Sequence, residues 1–355
     1  MLKNEKLLLY QKGLIKVLKI NNRRYIGSKT SLVDRIFEEV NSRMDGDYSF
    51  ADIFAGTGVV ASKFSENNYK VFVNDNLYSN YISYVAWFSE EKANLDKVNT
   101  LIDKYNQINP DDIENNYFSK IYGKKYYSVN DAKVIGFIRD QIENEKDNLN
   151  FREYAILLTS LMYAADRIAN TVGHFEHFLS KRAEDKGIEL RKLDISNENA
   201  PSELYQMDAN ELVREIKADV VYIDPPYNAR QYVNFYHVLE NLVTWEKPTK
   251  FQGTSMKFMR DHLKSGYSRA AAKDLLADLI ENTDAKLIVL SYNNTYRARS
   301  TASNNKIKEK YLISILEKKG DLEIIEIDHK FFNSGKTNFK DHKELLYICR
   351  VRKEV

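Results

Sequence analysis

A single cysteine, Cys349, serves 355 residues. That excludes a disulfide framework and a cysteine-based zinc cluster, and it fits a reducing interior. The six histidines show no ligand spacing, so no metal site is expected. No apolar run approaches the roughly 20 residues of a membrane span. The amino terminus carries lysines but is broken by Tyr10-Gln11-Lys12-Gly13, which makes a poor signal peptide. A cytoplasmic protein without membrane contact is expected. No internal repeat is visible. Charge of one sign is also lacking: the formal net charge is +2, so no global basic field announces a nucleic acid. Tyrosine is plentiful, with 24 residues; a core would absorb most of them, and a minority could stack on bases.

The most informative stretch is Val220-Val221-Tyr222-Ile223-Asp224-Pro225-Pro226-Tyr227. An apolar run opens after Asp219 as a buried strand and stops at two prolines, which cannot donate to a sheet ladder. An acid, two rigid residues and an aromatic ring therefore sit just beyond a strand's carboxyl end, where ligands bind in open α/β sheets. Asp224 can accept a hydrogen bond from an amino group, and the Pro225 carbonyl can accept a second. Together they would leave a nitrogen lone pair free to attack. Tyr227 offers a flat face for a planar ring.

The rest of the chain repeats the strand-end theme. Arg24-Tyr25-Ile26-Gly27-Ser28-Lys29 precedes an amphipathic helix with Leu32, Val33, Ile36, Phe37 and Val40 on one face. Lys29 in its first turn opposes the helix dipole, so it is either a surface lysine or is compensated by an anion such as a ligand carboxylate. Ser49–Asp52 then runs as a strand into Ile53-Phe54-Ala55-Gly56-Thr57-Gly58. Gly56 and Gly58 admit a ligand to the backbone, and Asp52 could hold an ammonium. No Gly-Lys-Ser/Thr follows that turn, which excludes a P-loop. A second strand ends in Asn74-Asp75-Asn76; Asp75 either binds ribose hydroxyls or caps the next helix. A third ends at Asp208, which either reaches an adenine amino group or caps the helix after it.

Residues 91–200 break this rhythm and read as a polar, mainly helical, tyrosine-bearing insertion. Lys120–Tyr127 mixes basic and aromatic residues, and Lys181-Arg182 adds charge. Two basic clusters favour phosphate contact. One spans 1–29, with Lys3, Lys6, Lys12, Lys16, Lys19, Arg23, Arg24 and Lys29. The other holds Lys257, Arg260, His262, Lys264, Arg269 and Lys273. The α/β pattern resumes after 200 and closes with a buried strand at 286–292, a helix over 305–319 and strands near 322–332 and 345–350.

Taken together, these motifs and their order resemble the Dam-like, Asp-Pro-Pro-Tyr (D12, alpha-group) class of DNA adenine-N6 methyltransferases. The order is Tyr25–Lys29, then the Phe54-Ala55-Gly56-Thr57-Gly58 loop, then the insertion, then Asp224–Tyr227. The resemblance spans nearly the whole chain. It implies a doubly wound, mostly parallel Rossmann-like sheet with an antiparallel last strand. It assigns 1–90 and 201–355 to a catalytic domain and 91–200 to target recognition. It implies S-adenosyl-L-methionine bound by Tyr25, Lys29, Asp52, Phe54, Gly56, Gly58, Asp75, Asp208 and Asp224, and a flipped adenine held by Asp224, Pro225, Pro226 and Tyr227. Double-stranded DNA is the implied partner, with Lys124, Tyr126, Lys181, Arg182, Arg230, Lys264 and Arg269 as candidate contacts and a paired restriction endonuclease as a candidate companion.

Adenine N6 is a weak nucleophile. Cytosine carbon-5 chemistry needs a cysteine, and Cys349 lies outside any such motif, so direct displacement on the sulfonium methyl is the expected step. Catalysis would be positioning plus electrostatics, after the base leaves the duplex. Methylation of RNA or of protein glutamine is a weighed alternative, although Asn-Pro-Pro-Tyr is the commoner motif in the protein-modifying group. A dehydrogenase on the same glycine loop would leave Asp224–Tyr227 without a role. A nucleic-acid binder with a dead methyltransferase fold would not bind S-adenosylmethionine.

Overall fold

The computed structural model describes residues 17–226, 230–293, 307–328 and 343–352. Tyr227, the lysines at 3, 6, 12 and 16, and the start of the helix expected from 305 lie outside the described residues. The chain divides into two compact units. One comprises 1–28, 78–199 and 236–259; the other comprises 29–77, 200–235 and 260–355.

The second unit is built on a sheet of seven strands: β1 (Ser49–Asp52), β2 (Lys70–Asn74), β3 (Ser202–Tyr205), β4 (Val220–Ile223), β7 (Leu287–Asn293), β8 (Gly320–Asp328) and β9 (Lys343–Val351). Their order is β3-β2-β1-β4-β7-β9-β8. The first five pair in parallel, and β9 inserts antiparallel to both β7 and β8. This is the doubly wound sheet with a reversed last strand that the motif order implies. Parallel strands are covered on both faces and so read as unbroken apolar runs; every residue of β4 and of β7 is buried.

On one face Ala51, Val221, Ile223, Ile288 and Leu290 pack with Leu212, Leu276, Leu279, Leu312 and Leu316 from the flanking helices. On the other, Phe50 stacks on Phe64 with ring centroids 3.6 Å apart. Phe64 belongs to the helix Val59–Glu66. Cys349 of β9 is buried, and its thiol donates to the Leu316 carbonyl at 3.3 Å. Burial pushes that thiol up to about 11, so it is not a nucleophile near neutral pH.

The chain leaves β1 towards β2 and β3, then returns to place β4 on the other side of β1. This reversal is the position at which open α/β sheets bind ligands, beyond the strands' carboxyl ends.

The first unit is mainly helical, with helices Tyr78–Phe88, Leu95–Tyr105, Tyr117–Tyr122, Val129–Asn144 and Phe151–Ile168. Four of them start on side chains suited to capping: Asn94, Asn116, Ser128 and Asn150 each accept from a backbone N–H of the first turn. The helix Phe151–Ile168 has only Phe151 and Arg167 outside its buried set, so it is buried on all sides. The segment at 250–268 holds a small hairpin of β5 (Phe251–Gln252) and β6 (Lys257–Phe258). The hairpin belongs to this unit because Ser255 at its turn is held there. Its carbonyl accepts from Tyr126 Oη at 3.1 Å and from His237 Nε2 at 2.8 Å.

Candidate active site

In the second unit the carboxyl ends of four parallel strands stand side by side. Asp52 closes β1, in register with Val73 of β2 and Tyr222 of β4. Asp224 follows β4 directly, Asp75 follows β2, and Asp208 follows β3 after a short turn.

Lys29 is buried, which removes the surface-lysine alternative. The compensating anion belongs to the protein: Lys29 Nζ lies 3.0 Å from Asp224 Oδ1 and 3.0 Å from Glu344 Oε1. Glu344 also accepts a hydrogen bond from Ser291 Oγ at 2.7 Å. Burial raises the Asp224 carboxyl to about 6, Glu344 pushes it the same way, and Lys29 opposes both. Asp224 is thus a carboxylate at neutral pH, held on one side by a cation. Pro225 is buried behind it.

Asp52 is only 1% exposed, and neither of its carboxylate oxygens has a hydrogen-bond partner. Burial holds its carboxyl well above the usual range and the charges of Asp224 and Asp75 add to the effect, while the nearby Ala61 backbone N–H, which makes no well-formed hydrogen bond to it, and the Lys29 charge oppose it only in part. A buried carboxylate without donors costs free energy unless a cation or donor meets it. Its environment therefore fits a ligand ammonium.

The glycine loop beside it is fastened from β2. Asp75 Oδ2 accepts from Gly56 N at 3.1 Å, and its Oδ1 accepts from Leu77 N at 2.8 Å. Gly56 and Gly58 have φ of 56° and 83°, a left-handed backbone that glycine adopts without cost. Asn74 does what the sequence did not reveal. Its Nδ2 donates to the Ile53 carbonyl at 3.0 Å and the Met207 carbonyl at 3.1 Å, while its Oδ1 accepts from Met207 N at 3.1 Å. One buried amide thereby ties together the ends of β1, β2 and β3. Phe54 sets its ring edge-on to Tyr267, 5.0 Å between centroids. Asp208 caps the helix Ala209–Glu215 through Asn210 N at 2.8 Å, so its capping role is the one observed. In the first unit, Tyr25 stacks on Tyr236 with centroids 4.6 Å apart.

The match to known proteins agrees with this geometry. A family model for the D12 class N6 adenine-specific DNA methyltransferases covers residues 25–293. The chain belongs to this family. It is 35% identical over 351 residues to Modification methylase StsI of Streptococcus sanguinis, an alignment covering 92% of this chain and 52% of that protein. It is 31% identical over 330 residues to Type II methyltransferase M.NlaIII of Neisseria lactamica, covering 90% and 95%. Type II methyltransferase M.CviAII of Paramecium bursaria Chlorella virus 1 is 29% identical over 322 residues, covering 89% and 94%. The chain therefore spans about half of the StsI methylase and nearly all of the other two. Glu344 lies beyond the matched 25–293 segment, and its place beside Lys29 shows only once β9 is paired with β7.

The residues expected to touch DNA divide by exposure. Tyr126 is corrected: its ring is fully buried, and its hydroxyl donates to the Phe175 carbonyl at 2.8 Å as well as to Ser255. It is a core residue of the first unit, as are Tyr122 and Tyr127. In the mixed stretch Lys120–Tyr127, these three rings turn inward, while Lys120 and Lys124 turn outward. Arg23 leaves the basic cluster for the same reason, and Arg24, only partly buried, is taken up by an ion pair. Arg23 is buried and donates to Asn80 Oδ1 at 2.7 Å. Arg24 grips Asp166, its backbone N donating at 3.1 Å and its Nε at 3.4 Å. Lys181, Arg182, Arg230 and Arg269 are exposed; Lys181 pairs with Glu184 at 2.7 Å, and Lys264 pairs with Asp261. Among the described residues no group of His, Cys, Asp and Glu side chains is placed to hold a metal ion, and no helix is long and apolar enough to cross a membrane.

Proposed function

We propose that this chain transfers a methyl group from S-adenosyl-L-methionine to N6 of adenine in double-stranded DNA, as a modification methylase. The reading rests on one observation above all. At the reversal point of the sheet, a lysine-held carboxylate followed by two prolines stands beside a buried carboxylate that lacks donors.

S-adenosyl-L-methionine, when bound, supplies a methyl group made electrophilic by its sulfonium. Asp52 would take the ammonium of its methionine part, Gly56 and Gly58 would admit it to the backbone, and Asp75 would keep that loop in place and bind the ribose hydroxyls. Asp224 would accept from the adenine amino group and, with the Pro225 carbonyl, stabilise the positive charge that grows on N6 as it attacks. N6 would form a bond to that methyl carbon while the C–S electron pair stays with sulfur, and the proton N6 then sheds would pass to solvent. Tyr227 would stack on the extruded base, a contact worth roughly 1–3 kcal/mol against an unstacking cost of a few kcal/mol. Pro226 would fix the turn that presents the ring.

The first unit, which contains 91–199, would read the sequence, with exposed Lys124, Lys181 and Arg182 facing DNA. Arg230, Lys264 and Arg269 would hold phosphates. The relatives are named as modification methylases and Type II methyltransferases. We accordingly assign this chain a place in the cytoplasm beside an endonuclease of the same target. Incubating the purified chain with a methyl-labelled cofactor and duplex DNA tests the reading: label should appear in N6-methyladenine. Label in cytosine, in RNA or in protein alone would refute it.

A further inference from the structure

The carboxylate that Lys29 shares with Asp224 has no role in the scheme above. Lys29 and Asp224 alone make a neutral pair, which offers little field to a cation developing on the target nitrogen. Glu344 changes that balance. It is buried, it stands 3.0 Å from the same ammonium, and it is fixed by Ser291 of β7. Its backbone is paired with Asn293 across β7 and β9, so it is carried by sheet rather than by a loop. An ammonium has three donors and can serve both carboxylates at once. The three side chains then carry a net charge of one negative.

We propose that Glu344 is a positioning residue for methyl transfer: it takes part of the Lys29 ammonium, so that Asp224 keeps an oxygen for the target amino group and sits in a cluster with net negative charge. The inference rests on the adenine-methylation reading above. The charged and titratable groups that face Asp224 are Lys29, Glu344, Asp52 and Tyr222. Lys29 favours the Asp224 carboxylate, and Glu344 disfavours it. Neutralising Glu344 should therefore let Asp224 lose its proton at lower pH.

The test is single-turnover methylation of target duplex by full-length wild type, Glu344→Gln and Glu344→Asp, from about pH 5 to pH 9. Glu344→Gln should slow the plateau rate about tenfold or more and move the acid limb down by about one pH unit, with cofactor affinity held within about threefold. Glu344→Asp, which keeps the charge but withdraws it, should shift the limb less and lose less rate. It also serves as the deciding variant if Glu344→Gln does not fold. An unmoved acid limb alongside a lowered rate would make Glu344 a structural counter-ion only and overturn the proposal, as would an unchanged rate. If wild type labels no DNA adenine, the underlying reading fails and this inference falls with it.

Discussion

At the scale of single residues, the two strand-end carboxylates make opposite predictions about stability and chemistry. Asp52→Asn should weaken S-adenosylmethionine binding at least about tenfold by calorimetry, because hydrogen bonds to charged groups are worth roughly 1.5–3 kcal/mol. The same change should stabilise the cofactor-free protein. The Asp52 carboxyl is raised in the folded state, so the fold binds its proton more tightly than the unfolded chain does. The stability that comes from the protonated form is complete below the unfolded value of about 3.9 and is lost as pH rises. The gap in thermal midpoint between Asp52→Asn and wild type should therefore widen from pH 4 to pH 8. Asp224→Asn should instead cost about 10²–10³ in methylation rate while cofactor binding persists. Wild-type activity should fall as pH drops through about 6, the value to which burial raises Asp224. Both acids were legible because each ends an apolar run, which puts it at a strand's carboxyl end. Tyr126 was misread because a lysine-tyrosine mixture does not say which residues face inward; its hydroxyl satisfies two buried carbonyls. Glu344 was invisible because its partner Lys29 is more than 300 residues away in sequence.

At the scale of elements, the site depends on how strand ends are tied to one another. Asn74→Ala removes two donated bonds and one accepted bond. It should cost about 2–4 kcal/mol in urea unfolding, because buried groups are left unsatisfied. It should also weaken cofactor binding without any direct contact, by releasing the turns after β1 and β3. A loss of stability with unchanged affinity would separate Asn74 from the site. The strands β1, β2, β4 and β7 were readable to within a residue or two, because a fully covered parallel strand is an apolar run with acid or proline at its end. The hairpin of β5 and β6 was not readable. Each of its strands has two residues, and its position is set in part by Tyr126, which lies far from it in the chain.

At the scale of the whole molecule, sequence preference and methyl transfer should be separable. Exchanging 91–200 alone for the segment of a relative should disturb the first unit, because 236–259 belongs to the same compact unit and Ser255 is held from within the exchanged part by Tyr126. Exchanging 91–200 together with 236–259 should give a folded enzyme whose methylated sequence follows the donor, as methylome sequencing would show. The loss of α/β rhythm after 90 is what makes the sequence read as carrying an insertion. It could not reveal the later segment, whose membership depends on contacts between distant residues. The most direct measurement for the account as a whole is nucleoside mass spectrometry of a duplex incubated with the purified chain and methyl-labelled S-adenosylmethionine, run beside Asp224→Asn. The account predicts labelled N6-methyladenine at one sequence context with wild type and almost none with the variant. Label on another base, or equal label from Asp224→Asn, would contradict it.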